Sequence, residues 1–410
     1  MSNKEKRQFE VMQQQQTEKI ERIKTETDTK RQIITFKDPT ELEIISQLER
    51  RTDAKAERIK RLLDLPDLTK KENSPIKFVN DKIIGLPRFK DFDIVTIPRI
   101  INVKNNFDLL NTSLDHPSRK ETDTYYADKS HVLCTQTTAM WSFYLKTPEI
   151  VEKLKKNGHI EALCPGIVYR KDEIDRSHYP AFHQIDGLYI CEKKQKTVTA
   201  DDLVEVLVDV AKGIYGPKVE WKTLPDTFPY TDPSIELDIK WEDKWLEVLG
   251  AGVVRDRIYP NFGLDSNVYN GWAFGFGLDR LAMIKMNISD IRILWSKDER
   301  IAKQFKSIDS QYKEVSKFPA TYRDISFVID RNINLNNYYE IIRDYANDLI
   351  EEVRLIDKYE DEKKFGQDKV SHTFRIVYRS PEKTLKNKEI NEIQEKIREK
   401  TKQELNAILR

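Results

Sequence analysis

Residues 271–280 read Gly-Trp-Ala-Phe-Gly-Phe-Gly-Leu-Asp-Arg, a glycine-rich run that ends on an arginine. Strand alternation puts Ala273, Gly275 and Gly277 on one face and Trp272, Phe274 and Phe276 on the other. Glycines sharing a face leave a bare backbone floor for a flat ligand. Helical spacing starts near Leu278, so Arg280 falls in a first turn, where free amides and the helix dipole favour an anion. A ring on the floor with phosphates at the guanidinium suits a nucleotide. The pattern Gly-x-Gly-x-x-Arg is not the dinucleotide fingerprint, and no Gly-x-x-x-x-Gly-Lys loop occurs. Alone, the run is equally a tight strand-to-helix turn.

Its neighbours sharpen that reading. Residues 163–172 and 181–191 look like two strands around a polar loop, 173–180, forming a hairpin. Alternation gathers Val168, Arg170 and Asp172 on one strand, and Phe182, Gln184, Asp186 and Leu188 on the other. Phe182 can stack on a base, Arg170 can bind a phosphate, and Gln184 and Asp186 can hold an ammonium group. His178 in the loop either reaches a phosphate or is simply exposed. Residues 131–138, His-Val-Leu-Cys-Thr-Gln-Thr-Thr, are dense in hydroxyls and amides, which suits a small polar head group or ordinary turn chemistry. In the strand-like run 245–252, alternation sets Glu247 beside Leu249 and Ala251. A carboxylate there is costly unless it binds a metal or ligand, or joins an ion pair.

Several elements must position these residues. Residues 1–37 are polar and read as a disordered or weakly helical tail. Residues 39–63 read as one helix capped by Thr40 and stopped by Pro66, either docked on the body or packed on a partner. Residues 200–215 form an amphipathic helix, 228–233 a proline-bounded aromatic turn, and 235–241 a strand. The run Lys285-Met-Asn-Ile-Ser289 has a faint likeness to a Lys-Met-Ser-Lys-Ser loop, but it lacks the second lysine and any His-Ile-Gly-His partner, so it reads as a helix end. Beyond a linker at 307–318, strand, helix, strand, strand, helix follow, most of a ferredoxin-like split unit. The last helix is rich in Lys and Arg with Glu interleaved, a basic face or a solvated one. The expected division is 1–80 a charged, partly helical extension, 81–306 a catalytic domain, 307–318 a linker, and 319–410 a second domain.

The chain has 410 residues, 34% charged and 39% hydrophobic with formal net charge +1, which gives ample core and a globular profile. Near-neutrality does not exclude nucleic acid, because patches outweigh totals. Cys134, Cys164 and Cys191 are far apart with no Cys-x-x-Cys pair, which implies a reducing compartment and no structural zinc. No apolar run approaches membrane-spanning length. Residues 1–31 mix acids with bases, unlike a mitochondrial presequence, and have no apolar signal core, so a cytoplasmic protein is expected.

Taken together, these segments resemble the class II aminoacyl-tRNA synthetases, and within them the phenylalanine–tRNA ligases of the single-chain form typical of mitochondria. The likeness runs from about His116 to the C-terminus. Tyr169-Arg170-x-Asp172 with Phe182-His183-Gln184 is similar to the second class motif, and Gly275-x-Gly277-x-x-Arg280 to the third. His116-Pro-Ser-Arg, Phe228-Pro-Tyr-Thr, Trp245-Leu-Glu-Val-Leu-Gly and Gly271-Trp-Ala-Phe-Gly are similar to signatures of this one ligase. Ala320-Thr-Tyr-Arg-Asp-Ile-Ser-Phe and Leu355-Ile-Asp-Lys-Tyr resemble its ferredoxin-fold anticodon-binding domain.

The resemblance implies an α+β fold: an antiparallel sheet with flanking helices, a C-terminal ferredoxin-like domain and a helical N-terminal extension. It implies that ATP, Mg²⁺ and L-phenylalanine give phenylalanyl-adenylate, and that the amino acid passes to the 2′-hydroxyl of tRNA(Phe). Arg170 would take the α-phosphate and Arg280 the γ-phosphate, with Phe182 stacked on adenine and Asp172 on its amine. His178 would close over the phosphates, and Glu247 would meet Mg²⁺ or the ammonium. Gln136, Thr138, Gln184 and Asp186 would hold the amino-acid head. Phe228, Tyr230, Ala273 and Phe274 would wall the ring.

Some positions depart from the family. Asp186 stands where Glu is usual, and Tyr230 where Phe is usual. The chain also lacks room for the large editing domain of two-subunit relatives. An apolar pocket alone rejects an added hydroxyl only about 10²-fold, so measurable tyrosine activation is expected. No membrane partner is expected, and the chain is a monomer or a homodimer. The rival reading is a synthetase-like protein that binds RNA or a partner without catalysis. Such a relic would lose its nucleotide residues, and Arg170, Phe182 and Arg280 are all present.

Overall fold

The computed structural model describes residues 21–26, 31–171, 176–241, 243–316, 318–333, 335–346, 349–380 and 383–410. Two compact units divide the chain, Met1–Tyr312 and Lys313–Arg410. In the first unit the strands are β1 (Glu21–Glu26), β2 (Gln32–Lys37), β3 (Asp93–Thr96), β4 (Ile100–Asn102), β5 (His131–Leu133), β6 (His159–Tyr169), β7 (Ala181–Glu192), β8 (Trp221–Phe228), β9 (Thr231–Trp241), β10 (Lys244–Val254) and β11 (Tyr269–Gly277). All but β4 and β5 join one nine-stranded sheet in the order β1-β2-β3-β6-β7-β11-β10-β9-β8. Only the β2–β3 and β3–β6 pairs are parallel, so the sheet is mainly antiparallel, as the expected fold class requires.

The register gives the two faces of this sheet different tasks. On β11, Phe274 lies opposite Gly187 and Phe276 opposite Ile185. Rings of Trp272, Phe274 and Phe276 stack in a row, with centroids 5.6 and 4.2 Å apart. A Cβ on Gly187 would stand 2.2 Å from the Phe274 ring, so only glycine admits that ring across the strand pair. The helices Pro75–Ile84, Ala200–Tyr215 and Leu278–Lys285 pack over this side. The side chains that can do chemistry therefore project from the other face.

Two expectations near the N-terminus are corrected. Residues 32–37, read as tail, are strand β2, with Ile34 and Phe36 buried. The run Ile33-Ile34-Thr35-Phe36 is a short β-former inside polar surroundings, and Asp93 secures it by accepting the Gln32 amide at 3.0 Å. The span 39–63 is two helices, Pro39–Glu49 and Ala54–Leu63. Asp38 caps the first, accepting the Thr40 amide, and Asp53 caps the second, accepting the Ala56 amide. A second capping aspartate inside the apolar pattern is the signal for the break. The start of the polar tail, residues 1–20, lies outside the described residues, and so does the Asp172 assignment.

The second unit carries β12 (Thr321–Asp330), β13 (Ile350–Tyr359), β14 (Lys369–Tyr378) and β15 (Ile408–Leu409), in the order β13-β14-β12-β15. The helices Asn336–Ala346 and Asn387–Glu404 bury Tyr338, Ile342, Ile390 and Ile397 against Phe327, Phe374 and Ile376. The opposite sheet face is open. There Arg375 makes a two-armed bond to Asp324, 2.8 Å on each arm, and lies 4.1 Å from the ring centroid of exposed Tyr322.

Candidate active site

A cavity of about 720 Å³ opens on the chemically equipped face of the first unit's sheet. Arg170, His178, Phe182, Glu247, Arg280, Gln136, Thr138, Gln184, Asp186, Phe228, Tyr230, Ala273 and Phe274 all border it. They come from the β6–β7 hairpin, β11 with the helix behind it, the β8–β10 meander, and the short helical turn Thr137–Met140. Segments far apart in sequence meet here because β7 pairs with both β6 and β11.

At one end the cavity is cationic and aromatic. The Arg170 guanidinium lies 5.1 Å from the Phe182 ring centroid, and its Nε donates to the Thr135 carbonyl at 2.9 Å. That bond orients the planar fork. Arg280 sits across the cavity wall, with Nη1 3.7 Å from Glu247 Oε2 and 3.4 Å from the Glu247 carbonyl. Both side chains of this pair are 53% exposed. At Gly277 no described atom lies within 4 Å of where a Cβ would stand, so the floor expected from the glycines is open. His178 is exposed at the same cavity.

At the other end stands one buried carboxylate. Asp186 accepts the Thr137 hydroxyl at 2.7 Å and also the Thr138 hydroxyl. Burial pushes its carboxyl up to about 6, against the downward pull of Thr138, Thr137 and Arg170. Gly275 lies opposite Asp186 on the neighbouring strand, and a Cβ there would come within 3.0 Å of Asp186 Oδ1. Gln184 Oε1 is buried with no hydrogen-bond partner among the described residues. A carboxylate and a bare amide oxygen buried in one wall call for a cationic donor.

Aromatic rings flank that end. Tyr230 stacks on Phe228 at 6.1 Å and meets Trp141 edge-on at 5.7 Å. Its hydroxyl lies beside Thr138 and Asp186; burial, then the Asp186 carboxylate, push it up to about 12 against the downward pull of Thr138. The Tyr230 hydroxyl thus belongs to the head-group cluster.

Two placements correct the expectations. Glu247 does not share a face with Leu249 and Ala251. A bulge sets Glu247 opposite Asp238 and Leu249 opposite Leu237, turning Glu247 into the cavity while Leu249 stays buried. Its half-exposed side chain therefore carries no burial cost of the kind expected. Phe274 borders the cavity, but its ring lies in the row with Trp272 and Phe276 on the far face, as the alternation dictates. The assignment of its ring as a pocket wall is corrected on that ground.

Three neighbours of the site went unread as participants. Thr137, beside Thr138, supplies the second hydroxyl to Asp186; the hydroxyl-rich run was its signal. Asp279, directly before Arg280, borders the cavity at 3% exposure. His183, between Phe182 and Gln184, is fully buried on the opposite face. Among the described residues no cluster of three metal-ligating side chains occurs, and no helix is long and apolar enough to cross a membrane.

Comparison with known proteins places this architecture. The family of tRNA synthetases class II core domain (F) matches residues 61–305, and the ferredoxin-fold anticodon binding domain matches residues 316–410. The chain is 40% identical over 333 residues to the chloroplastic/mitochondrial phenylalanine–tRNA ligase of Arabidopsis thaliana, covering 79% of this chain and 73% of that one. It is 35% identical to the mitochondrial phenylalanine–tRNA ligase of Mus musculus, over 76% of this chain and 74% of that one. Against the mitochondrial enzyme of Saccharomyces cerevisiae it is 29% identical, over 83% and 88%. These relatives correct the expectation of a cytoplasmic protein: they are organellar. The acids within residues 1–31 argue only against one type of presequence and do not fix a compartment. With a class II core over 61–305, an anticodon-binding fold over 316–410 and this identity along most of its length, the chain belongs to the phenylalanine–tRNA ligase family of class II synthetases.

Proposed function

We propose that the protein attaches L-phenylalanine to tRNA(Phe) in two steps, with ATP as co-substrate. The observation that carries this is one cavity with an arginine–phenylalanine pair at one end and a hydroxyl-supported buried carboxylate at the other. A nucleotide and an amino acid laid head to head would put the amino acid's carboxylate beside the α-phosphate. That carboxylate is its own nucleophile: its oxygen bonds the α-phosphorus, and the bond to the bridging oxygen breaks to release pyrophosphate. In the second step a tRNA ribose hydroxyl bonds the carbonyl carbon and AMP leaves. The protein's contribution is alignment and charge.

Residue roles follow the same layout. Arg170 binds the α-phosphate, and Phe182 stacks on adenine. Arg280 binds the γ-phosphate, and His178 lies where it can close over the phosphates. Asp186, Gln184, Gln136 and Thr138 hold the ammonium and carboxylate, and Phe228, Tyr230 and Ala273 enclose the ring. Glu247, whose half-exposed carboxylate borders the cavity, would hold Mg²⁺ together with the substrate phosphates, and the ion would supply neutralisation of phosphate charge. In the second unit, the open sheet face with Tyr322 and Arg375 suits unpaired bases, which stack on exposed aromatics beside a guanidinium. Removing residues 313–410 should lower tRNA charging by more than about 10²-fold and leave amino-acid-dependent pyrophosphate exchange intact; equal survival of both steps would contradict the role given to this unit.

Ring selectivity can be measured separately. The pocket rejects an added hydroxyl by apolar walls, so phenylalanine should be preferred over tyrosine by less than about 10⁴-fold in pyrophosphate exchange. Because the Tyr230 hydroxyl lies beside Thr138 and Asp186 at the head-group end, Tyr230→Phe should change that ratio only about threefold or less, the scale of one neutral polar contact away from the substrate ring. A larger change would place the hydroxyl against the substrate ring.

A further inference from the structure

His183 lies between two cavity-lining residues of β7, yet it faces away from the cavity and is fully buried. Its Nε2 accepts the Leu68 backbone N–H at 3.0 Å. A backbone amide can only donate, so the ring proton sits on Nδ1. Nδ1 faces Asp279 Oδ2 at 3.3 Å, and the same oxygen accepts the His183 backbone N–H at 2.6 Å. Trp295 stacks on the imidazole at 5.2 Å. The ring is therefore held at both edges and on one face. Asp279 is the second residue of the helix Leu278–Lys285, and the next residue is Arg280.

Arg280 itself is loosely restrained. Its contacts to Glu247 are long, and the pair is half exposed, a setting in which ion pairs contribute little. Two hydrogen bonds from His183, one from its ring and one from its backbone N–H, tie Asp279 and with it the start of this helix to β7. We propose that His183 is a positioning residue for Arg280: it locks the first helical turn through Asp279 and ties that lock to the Leu68 segment through its other nitrogen. His183 touches no substrate in this arrangement. It acts on the nucleotide end alone, because the amino-acid end is held by Asp186 and its threonines on the other face. This rests on the reading of Arg280 as a phosphate ligand.

Two amide variants separate the two edges of the ring. In His183→Gln the amide oxygen reaches the Nε2 position and keeps Leu68, while the side-chain donor to Asp279 is lost and only the backbone N–H of residue 183 remains on it. In His183→Asn the amide nitrogen stands near Nδ1 and keeps Asp279, while Leu68 is lost. Steady-state pyrophosphate exchange on the full chain should show KM for ATP raised about tenfold in His183→Gln, the effect of a hydrogen bond lost from a charged acceptor, with KM for phenylalanine nearly unchanged. His183→Asn should recover most of the ATP affinity. Asp279→Asn, which preserves shape and weakens the acceptor, should repeat the selective rise in KM for ATP if the histidine variants fold poorly. Equal effects of Gln and Asn, or parallel rises in both KM values, would overturn the proposal and leave His183 a packing residue. An unsubstituted protein without any exchange activity would instead overturn the nucleotide reading beneath it.

Discussion

Arg280→Ala should reduce amino-acid-dependent pyrophosphate exchange by about 10²–10³-fold, the scale for removing a preorganised group that stabilises charge in the transition state. Thermal stability should barely move. The Arg280–Glu247 contact is 3.7 Å long with both partners half exposed, and such pairs contribute about 0–1 kcal/mol. Loss of activity without loss of fold is the distinguishing result, checked by exchange kinetics beside a melting curve. Arg280→Lys should recover little, because an ammonium cannot reproduce a planar fork. Retained exchange in Arg280→Ala would show that the phosphates are held elsewhere.

Asp186→Asn should raise KM for phenylalanine by about 10²-fold, since a buried carboxylate facing an ammonium loses its charge. The same change should leave the free protein as stable or more so. The Asp186 carboxyl is raised to about 6, so its charged form is disfavoured by the fold. A raised carboxyl contributes stability that is present below its unfolded value near 4 and is lost as pH rises through about 6. Asparagine removes that penalty; its oxygen still accepts from one of the two threonines, and its amide nitrogen donates to the hydroxyl oxygen of the other, which turns its own proton away. Substrate binding runs the opposite way: only the ionised form attracts an ammonium, so KM for phenylalanine should fall as pH rises through about 6 and level off above it. Asp186→Asn should flatten this profile. A profile of unchanged shape in the variant would assign the titration to another group.

Much of this site was legible in the linear chain because strands encode their faces by alternation. Phe182, Gln184 and Asp186 share the cavity side as that period dictates, and Arg170 joins them from just past the end of the partner strand. Alternation failed where the backbone broke it. The bulge beside Glu247 inserts one residue, which no periodic reading anticipates, and it turns the carboxylate from the buried face to Arg280. Phe274 shows the reverse: its alternation was right, and the wall role suggested by family likeness was not compatible with it. The Asp279–His183 contact was hidden because its two residues are 96 positions apart and meet only when β7 pairs with β11. Strand β2 was missed because only Ile34 and Phe36 are buried within a polar stretch, and it sits between the equally polar β1 and the distant β3.

The central claim is that one cavity joins an amino acid's own carboxylate to a nucleotide's α-phosphate. Pyrophosphate exchange with each of the twenty amino acids, followed by charging of total tRNA, tests it most directly. The expected result is ATP-dependent exchange strongest with phenylalanine, a weaker signal with tyrosine, and transfer of phenylalanine to tRNA(Phe). Exchange that depends on a different amino acid, or none with any of the twenty from a folded protein, would contradict the account.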